Sequence, residues 1–176
     1  MAIVHLVEGP VGAGKSSYAA TLAQRDGGVH IALDEWFVQL FSLDRPAGDF
    51  IPWYTERKAR LLTLIWQHSR QLLAGGTTVI LELGLIRHQQ RSAFCRTVQA
   101  AGFEPLIHVL DAPREVRRER VRRRNLERGA TFFMHVPEQI FELASDMWQA
   151  PDSIECKQYS IVHVDTGQPP AGFEPP

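Results

Sequence analysis

Short apolar runs recur along the chain at residues 2–8 (AIVHLVE), 29–33 (VHIAL), 77–83 (TTVILEL), 105–111 (PLIHVLD) and 159–165 (YSIVHVD). They are rich in β-branched and aliphatic side chains and read as five buried strands. The stretches between them carry a helical period. Residues 15–25 (KSSYAATLAQR) are good helix formers stopped by Asp26-Gly27-Gly28. From about Trp53, an apolar face of Leu61, Leu62, Ile65, Trp66, Leu72 and Leu73 predicts a long helix closed by Gly75-Gly76. Further helices are predicted at 87–101, ended by Gly102, at 113–128, opened by Pro113, and at 137–150, closed by Pro151. Residues 36–52 are aromatic and turn-rich with no settled period, and 129–136 read as irregular.

Strands alternating with helices predict a parallel sheet with helices on both faces: an α/β, three-layer domain. Ligands of such sheets lie at the carboxyl ends of the strands, which puts Glu8-Gly9, Asp34, Glu82 and Asp111 along one rim. No repeat or linker divides the chain. Residues 1–166 read as one domain, and the proline- and glycine-rich 167–176 as a flexible tail.

The first strand runs into Gly9-Pro-Val-Gly-Ala-Gly-Lys15-Ser16, which fits G-x-x-x-x-G-K-[ST]. Glycines let such a loop curl so that backbone N–H groups converge on an anion. Lys15 would reach the outer phosphates and the Ser16 hydroxyl a magnesium ion, while the following helix aims its positive end at the same place. Gly9, Gly12, Ala13, Gly14, Lys15, Ser16 and Ser17 are therefore the expected phosphate cradle.

Composition narrows the partners. A chain of 176 residues with 44% hydrophobic and 22% charged side chains has the balance of a single soluble domain. A net charge of −1 argues against wholesale attraction to nucleic acid or membranes. No apolar run approaches bilayer length, and a strand beginning at residue 2 reads as leaving no room for a signal peptide. Cys95 and Cys156 lack CxxC spacing, which suits a reducing cytoplasmic setting. The histidines show no zinc-ligand spacing, and His5, His108 and His163 read as structural.

The motifs GPVGAGKSS, LDEWF, VILELGL, LDAPREVRRERVRRRN and MWQAPDSIE together resemble the P-loop small-molecule kinases. That group includes adenylate kinase, gluconate kinase, chloramphenicol phosphotransferase and zeta toxin; the nearest likeness is to its uncharacterised ATP-binding, AAA-type members. The resemblance runs from Ile3 to about Asp165. It implies a P-loop NTPase fold with a five-stranded parallel core, a lid after the fourth strand with its tip at about 125–136, and ATP and Mg2+ as cofactors. It also implies phosphoryl transfer to a hydroxyl, with a substrate-binding segment at about 34–52.

Phosphoryl transfer needs charge neutralisation and alignment. Asp34 is the candidate to orient and deprotonate the acceptor, against the alternative that it caps the segment after the strand. Glu82 interrupts an apolar strand and reads as a magnesium or substrate ligand, or as the partner of a nearby arginine. Arg120 and Arg124 lie four apart on one helical face. They match the family's R-x-x-x-R lid pair, which stacks on adenine or binds the transferring phosphate. Eight arginines fall between Arg114 and Arg128, most of them expected to be solvated or paired with Glu115, Glu119 and Glu127. They lack interleaved aromatics, which argues against a nucleic-acid surface.

Trp36, Phe37, Phe41, Phe50, Trp53 and Tyr54, with Arg45, Asp49, Arg57 and Lys58, suit a small hydroxylated substrate, although at least half of the rings are expected to be core. The loop around Asp165–Gly167 lies where the family places its base contacts. The expected protein is an ATP-dependent kinase, monomeric or homodimeric; a nucleotide hydrolase or switch and a nucleic-acid-end kinase are the alternatives.

Overall fold

The computed structural model describes residues 2–129 and 132–167. Five strands, β1 (Val4–Glu8), β2 (Val29–Ala32), β3 (Val79–Glu82), β4 (Pro105–Asp111) and β5 (Ser160–Asp165), form one sheet in the order β2-β3-β1-β4-β5. Every pairing is parallel, with Leu6 of β1 opposite both Leu81 and Ile107. The helices are α1 (Lys15–Asp26), α2 (Leu33–Phe41), α3 (Phe50–Ala74), α4 (His88–Ala100), α5 (Arg114–Glu127), α6 (Glu138–Met147) and α7 (Ser153–Gln158). The expected five-stranded parallel core is present.

Alternation along the strands sorts side chains to two faces. Val4, Leu6, Leu81 and Ile107 join Leu61, Ile65 and Trp66 of α3 and Phe94, Cys95 and Val98 of α4 in the larger core. On the opposite face Val7, Ile80 and Leu110 meet Ala19 and Leu22 of α1.

A polar chain crosses that second face. His5 Nδ1 and His108 Nε2 are 2.9 Å apart, Tyr18 Oη and His108 Nδ1 are 2.9 Å apart, and His5 Nε2 faces Asp26 Oδ2 at 3.4 Å. With Asp26 able only to accept, one polarity fits: Tyr18 donates to His108, His108 to His5, and His5 turns its remaining N–H to Asp26. Both rings are then neutral. Burial pushes His108 down to about 4 and lowers His5 as well.

On the first face Arg91 is fully buried. Its Nε and Nη2 donate to the two oxygens of Glu155 at 3.0 and 2.8 Å, and its Nη1 to Leu85 O at 3.2 Å. His88 also contacts Glu155, and Asp152 caps α7 through Ile154 N and Glu155 N. His88, Asp152 and Glu155 offer ligand atoms within 4.8 Å of one another, but the positive charge of that cluster is Arg91's. Both thiols are free, Cys95 buried and Cys156 exposed.

The structure departs from the sequence reading at three places. Residues 33–41 form a helix, because Leu33, Phe37, Leu40 and Phe41 do fall on one helical face; the dense aromatics between them had masked the period. The long helix starts at Phe50, three residues early. Helix α7, with its Asp152 cap, occupies a stretch to which no element had been assigned. The expected lid tip includes residues 130 and 131, and the expected tail includes 168–176, all outside the described residues.

Candidate nucleotide and acceptor site

The loop between β1 and α1 is fixed by backbone constraints only glycine meets easily. Gly12 has φ +80°, and a Cβ there would lie 2.6 Å from the carbonyl oxygen of Arg117. A Cβ on Gly9 would lie 2.4 Å from Leu110 O. Gly14 stands at the start of α1, where no side chain caps the helix. The free N–H groups of that first turn give the anion-attracting end its strength. Ala13 is buried and Ser17 exposed beside them.

Lys15 Nζ folds back on the loop and donates to Gly9 O and Pro10 O, both at 3.0 Å. Ser16 Oγ donates to Glu82 Oε1 at 3.1 Å, joining α1 to the end of β3. His30 Nε2 of β2 faces Glu82 Oε2 at 3.3 Å. Glu82 thus bonds to a serine and lies near a histidine, and no arginine pairs with it among the described residues.

Asp34 is the second residue of α2, at the rim the sheet rule predicted. It keeps an exposed face, yet protein crowds it on the remaining sides and raises its carboxyl above the ordinary range. The positive charge of Lys58 opposes that rise, Glu82 adds to it, and Lys15 and Arg124 also oppose it. Lys58, from α3, donates to Gly84 O at 2.9 Å. Burial lowers its ammonium, against the pull of Asp34 and Glu8. Burial likewise lowers the Arg124 guanidinium, with Asp34 and Glu82 resisting. Lys15, Ser16, Asp34, Glu82 and Arg124 therefore act on one region.

Behind Asp34 the aromatics pack on one another. Phe37 is core, its ring 4.9 Å from Tyr54, 5.1 Å from Phe41 and 5.6 Å from Trp53. Arg57 lies over Trp53 and Arg45 over Phe50, at 4.7 and 4.6 Å. Phe41, Phe50, Trp53 and Tyr54 remain half-buried.

Arg120 turns elsewhere from Arg124. It donates to Thr166 O at 2.5 Å, and Thr166 Oγ1 donates to Ala13 O at 2.9 Å, so Arg120 meets the loop after β5 on the other flank of the cradle. Arg117, one of the eight clustered arginines, is buried; its Nη1 donates to Val11 O at 3.0 Å and its Nε to Ala112 O at 3.0 Å. Arg114, Arg118 and Arg122 pair chiefly with Glu142, Asp146 and Glu138 of α6, carboxylates distant in sequence.

Residues 4–150 match the AAA domain family. The chain belongs to that family. Solved structures repeat its fold across nearly its whole length. Kti12 of Chaetomium thermophilum, in complex with ADP-AlF3, superposes with a TM-score of 0.70 at 18% identity, covering 96% of this chain and 92% of that one. A putative kinase of Chloroflexus aurantiacus gives 0.67 at 16% identity, with coverages of 99% and 93%. A gluconokinase of Sinorhizobium meliloti gives 0.57 at 20%, with coverages of 95% and 84%. No curated protein matches the sequence. The resemblance to P-loop small-molecule kinases is borne out as fold: this AAA domain is a kinase-like P-loop domain. No helix among the described residues is long and apolar enough to cross a membrane.

Sequence reasoning missed two of the polar groups around this AAA domain's cradle. Glu8, fully buried at the end of β1, was read only as part of the rim. His30 carries no role in the sequence reading. A charged residue next to the P-loop, and a strand histidine aligned with Ala32 and Glu82 on one face, were the available signals.

Proposed function

We propose that the chain is an ATP- and magnesium-dependent phosphotransferase that moves the γ-phosphate of ATP to a hydroxyl of a small molecule. The observation that carries this reading is Asp34, an acidic side chain at the rim, in the field of Lys58, of the P-loop Lys15 and of Arg124. A hydrolase needs only to place water; a carboxylate beside a cluster of half-buried aromatics suits an organic hydroxyl.

Gly9, Gly12, Ala13, Gly14, Lys15, Ser16 and Ser17 would hold the phosphates, with Lys15 leaving the Gly9 and Pro10 carbonyls for them. Ser16 and Glu82 are hard oxygen donors that already meet at 3.1 Å, which fits Mg2+. When bound, the metal would neutralise charge on the phosphate oxygens. Asp34 would align the acceptor hydroxyl and take its proton. Arg124 would stabilise the transferring phosphoryl group, and Arg120, beside Thr166, would serve the base side. We take residues 1–166 as one catalytic domain, with 34–52 for the acceptor and 125–136 as lid tip. A cytoplasmic setting accords with the two free thiols.

Of the α5 arginines, Arg114, Arg118 and Arg122 pair with carboxylates of α6 and Arg117 and Arg120 are held by backbone oxygens, which weighs against a nucleic-acid-end kinase. A screen of hydroxylated metabolites and antibiotics for acceptor-stimulated ADP release tests the proposal. Transfer should fall roughly a hundredfold in Asp34→Asn while ATP affinity is kept. Equal hydrolysis with and without every acceptor, unchanged by Asp34→Asn, would favour the hydrolase or switch.

A further inference from the structure

We propose that nucleotide binding at the P-loop is coupled to proton uptake by Glu8. The inference rests on the phosphate-cradle reading above. Glu8 is the last residue of β1, with no exposed surface. Its Oε2 accepts from Leu85 N–H at 2.9 Å, and its Oε1 meets no protein donor among the described residues. A buried carboxylate so sparsely bonded is costly to keep ionised. Burial accordingly raises Glu8 to about 7, against the opposing charges of Lys15, Lys58 and Arg91.

Those three cations come from different elements and are not equally tethered. Arg91 of α4 is locked to both oxygens of Glu155 and to Leu85 O. Lys58 of α3 is held by Gly84 O and is also in the field of Asp34. Cys95, the other titratable group of α4 in the field of Glu8, stays neutral, its thiol pushed up to about 12, chiefly by burial. Lys15 is held only by carbonyls of the loop itself, Gly9 O and Pro10 O, the first belonging to the residue next to Glu8. Lys15 also heads the opposing charges.

Phosphates entering the cradle draw Lys15 off those carbonyls and bring several negative charges toward the end of β1. Both changes disfavour the Glu8 carboxylate, and it takes a proton from solvent. No bond to the nucleotide is made or broken in that step. A tenfold weakening of the carboxyl's acidity, from about 7, would take up roughly 0.4 proton per nucleotide at pH 8. At that pH His5 and His108 are neutral with or without ligand, so they do not contribute.

The test is calorimetric titration of the full chain with MgATP at pH 8 in buffers of differing ionisation enthalpy. Uptake of roughly 0.4 proton is expected from the buffer dependence, and its loss in Glu8→Gln, which keeps an acceptor for Leu85 N–H. The native protein gives a second readout: its ATP affinity should fall about two- to threefold per pH unit near pH 8. Binding with buffer-independent heat, or the same uptake in Glu8→Gln, would overturn the proposal and leave the nucleotide reading standing. Absence of any ATP binding would overturn both.

Discussion

Ser16 Oγ donates to Glu82 Oε1 across 3.1 Å, so the first turn of α1 and the tip of β3 are joined before any ligand arrives. A hydroxyl and a carboxylate already in contact need little rearrangement to share a hard cation. Glu82→Gln keeps the hydrogen-bond acceptor and removes the charge. It should raise the magnesium concentration needed for ATP-induced thermal stabilisation by about ten- to a hundredfold. An unaltered magnesium requirement would take Glu82 out of the metal site.

Lys15→Ala should abolish thermal stabilisation by MgATP while changing the stability of the free protein by no more than about 0.5 kcal/mol. The lysine bonds only to loop carbonyls in the free state and packs in neither core. Undiminished stabilisation by MgATP in the variant would refute the phosphate cradle.

Gly12→Ala should destabilise the free protein by roughly 1–3 kcal/mol, since it adds a methyl 2.6 Å from a backbone oxygen at φ +80°. The urea midpoint is the measurement, and a midpoint equal to the parent's would contradict the close approach of α5 to the loop.

Arg124→Ala should slow transfer about a hundredfold with little effect on ADP affinity. Arg120→Ala should instead weaken ADP binding, because its guanidinium sits with Thr166 against Ala13. Steady-state rates beside ADP titrations separate the two. Identical effects in both variants would argue against the division.

The neutral histidine pair gives a pH dependence of definite sign. His108 has about 4 in the fold against about 6.5 unfolded, so its contribution is complete above 6.5 and is lost as the pH falls toward 4. The loss should reach up to about 3 kcal/mol, with His5 changing in the same direction. Denaturant melts between pH 7 and 4 should show a shallower fall in His108→Gln. Parallel curves would mean the rings are not held neutral.

The sheet and the phosphate loop were legible in the sequence because both rest on local patterns: apolar runs between turns, and glycines at fixed spacing. Asp34 and Glu82 could be placed because the ends of parallel strands share a rim. The destination of each arginine could not. Arg117, Arg120 and Arg124 occupy similar helical sequence, yet one meets the P-loop backbone, one Thr166, and one the field of Asp34 and Glu82. Those choices depend on the P-loop, the loop after β5, α2 and β3, which approach α5 only in the fold. Helix α2 was missed for a different reason, since its apolar face is so wide that its period blurs.

Arg117 reaches from the front half of α5 to Val11 O, and its own backbone oxygen lies against Gly12. The beginning of α5 is therefore bolted to the phosphate loop, and a rigid swing of the whole helix would tear the cradle it serves. Any hinge of the proposed lid would have to sit further along, past Val121, which is buried too. Asn125 spans the following loop, donating to Val136 O at 2.8 Å and accepting from Val136 N–H at 3.2 Å. Movement of the lid proposed at 125–136 would then bend only the part of the helix beyond Val121, shifting Arg124 while the anchored end keeps the phosphate loop in register.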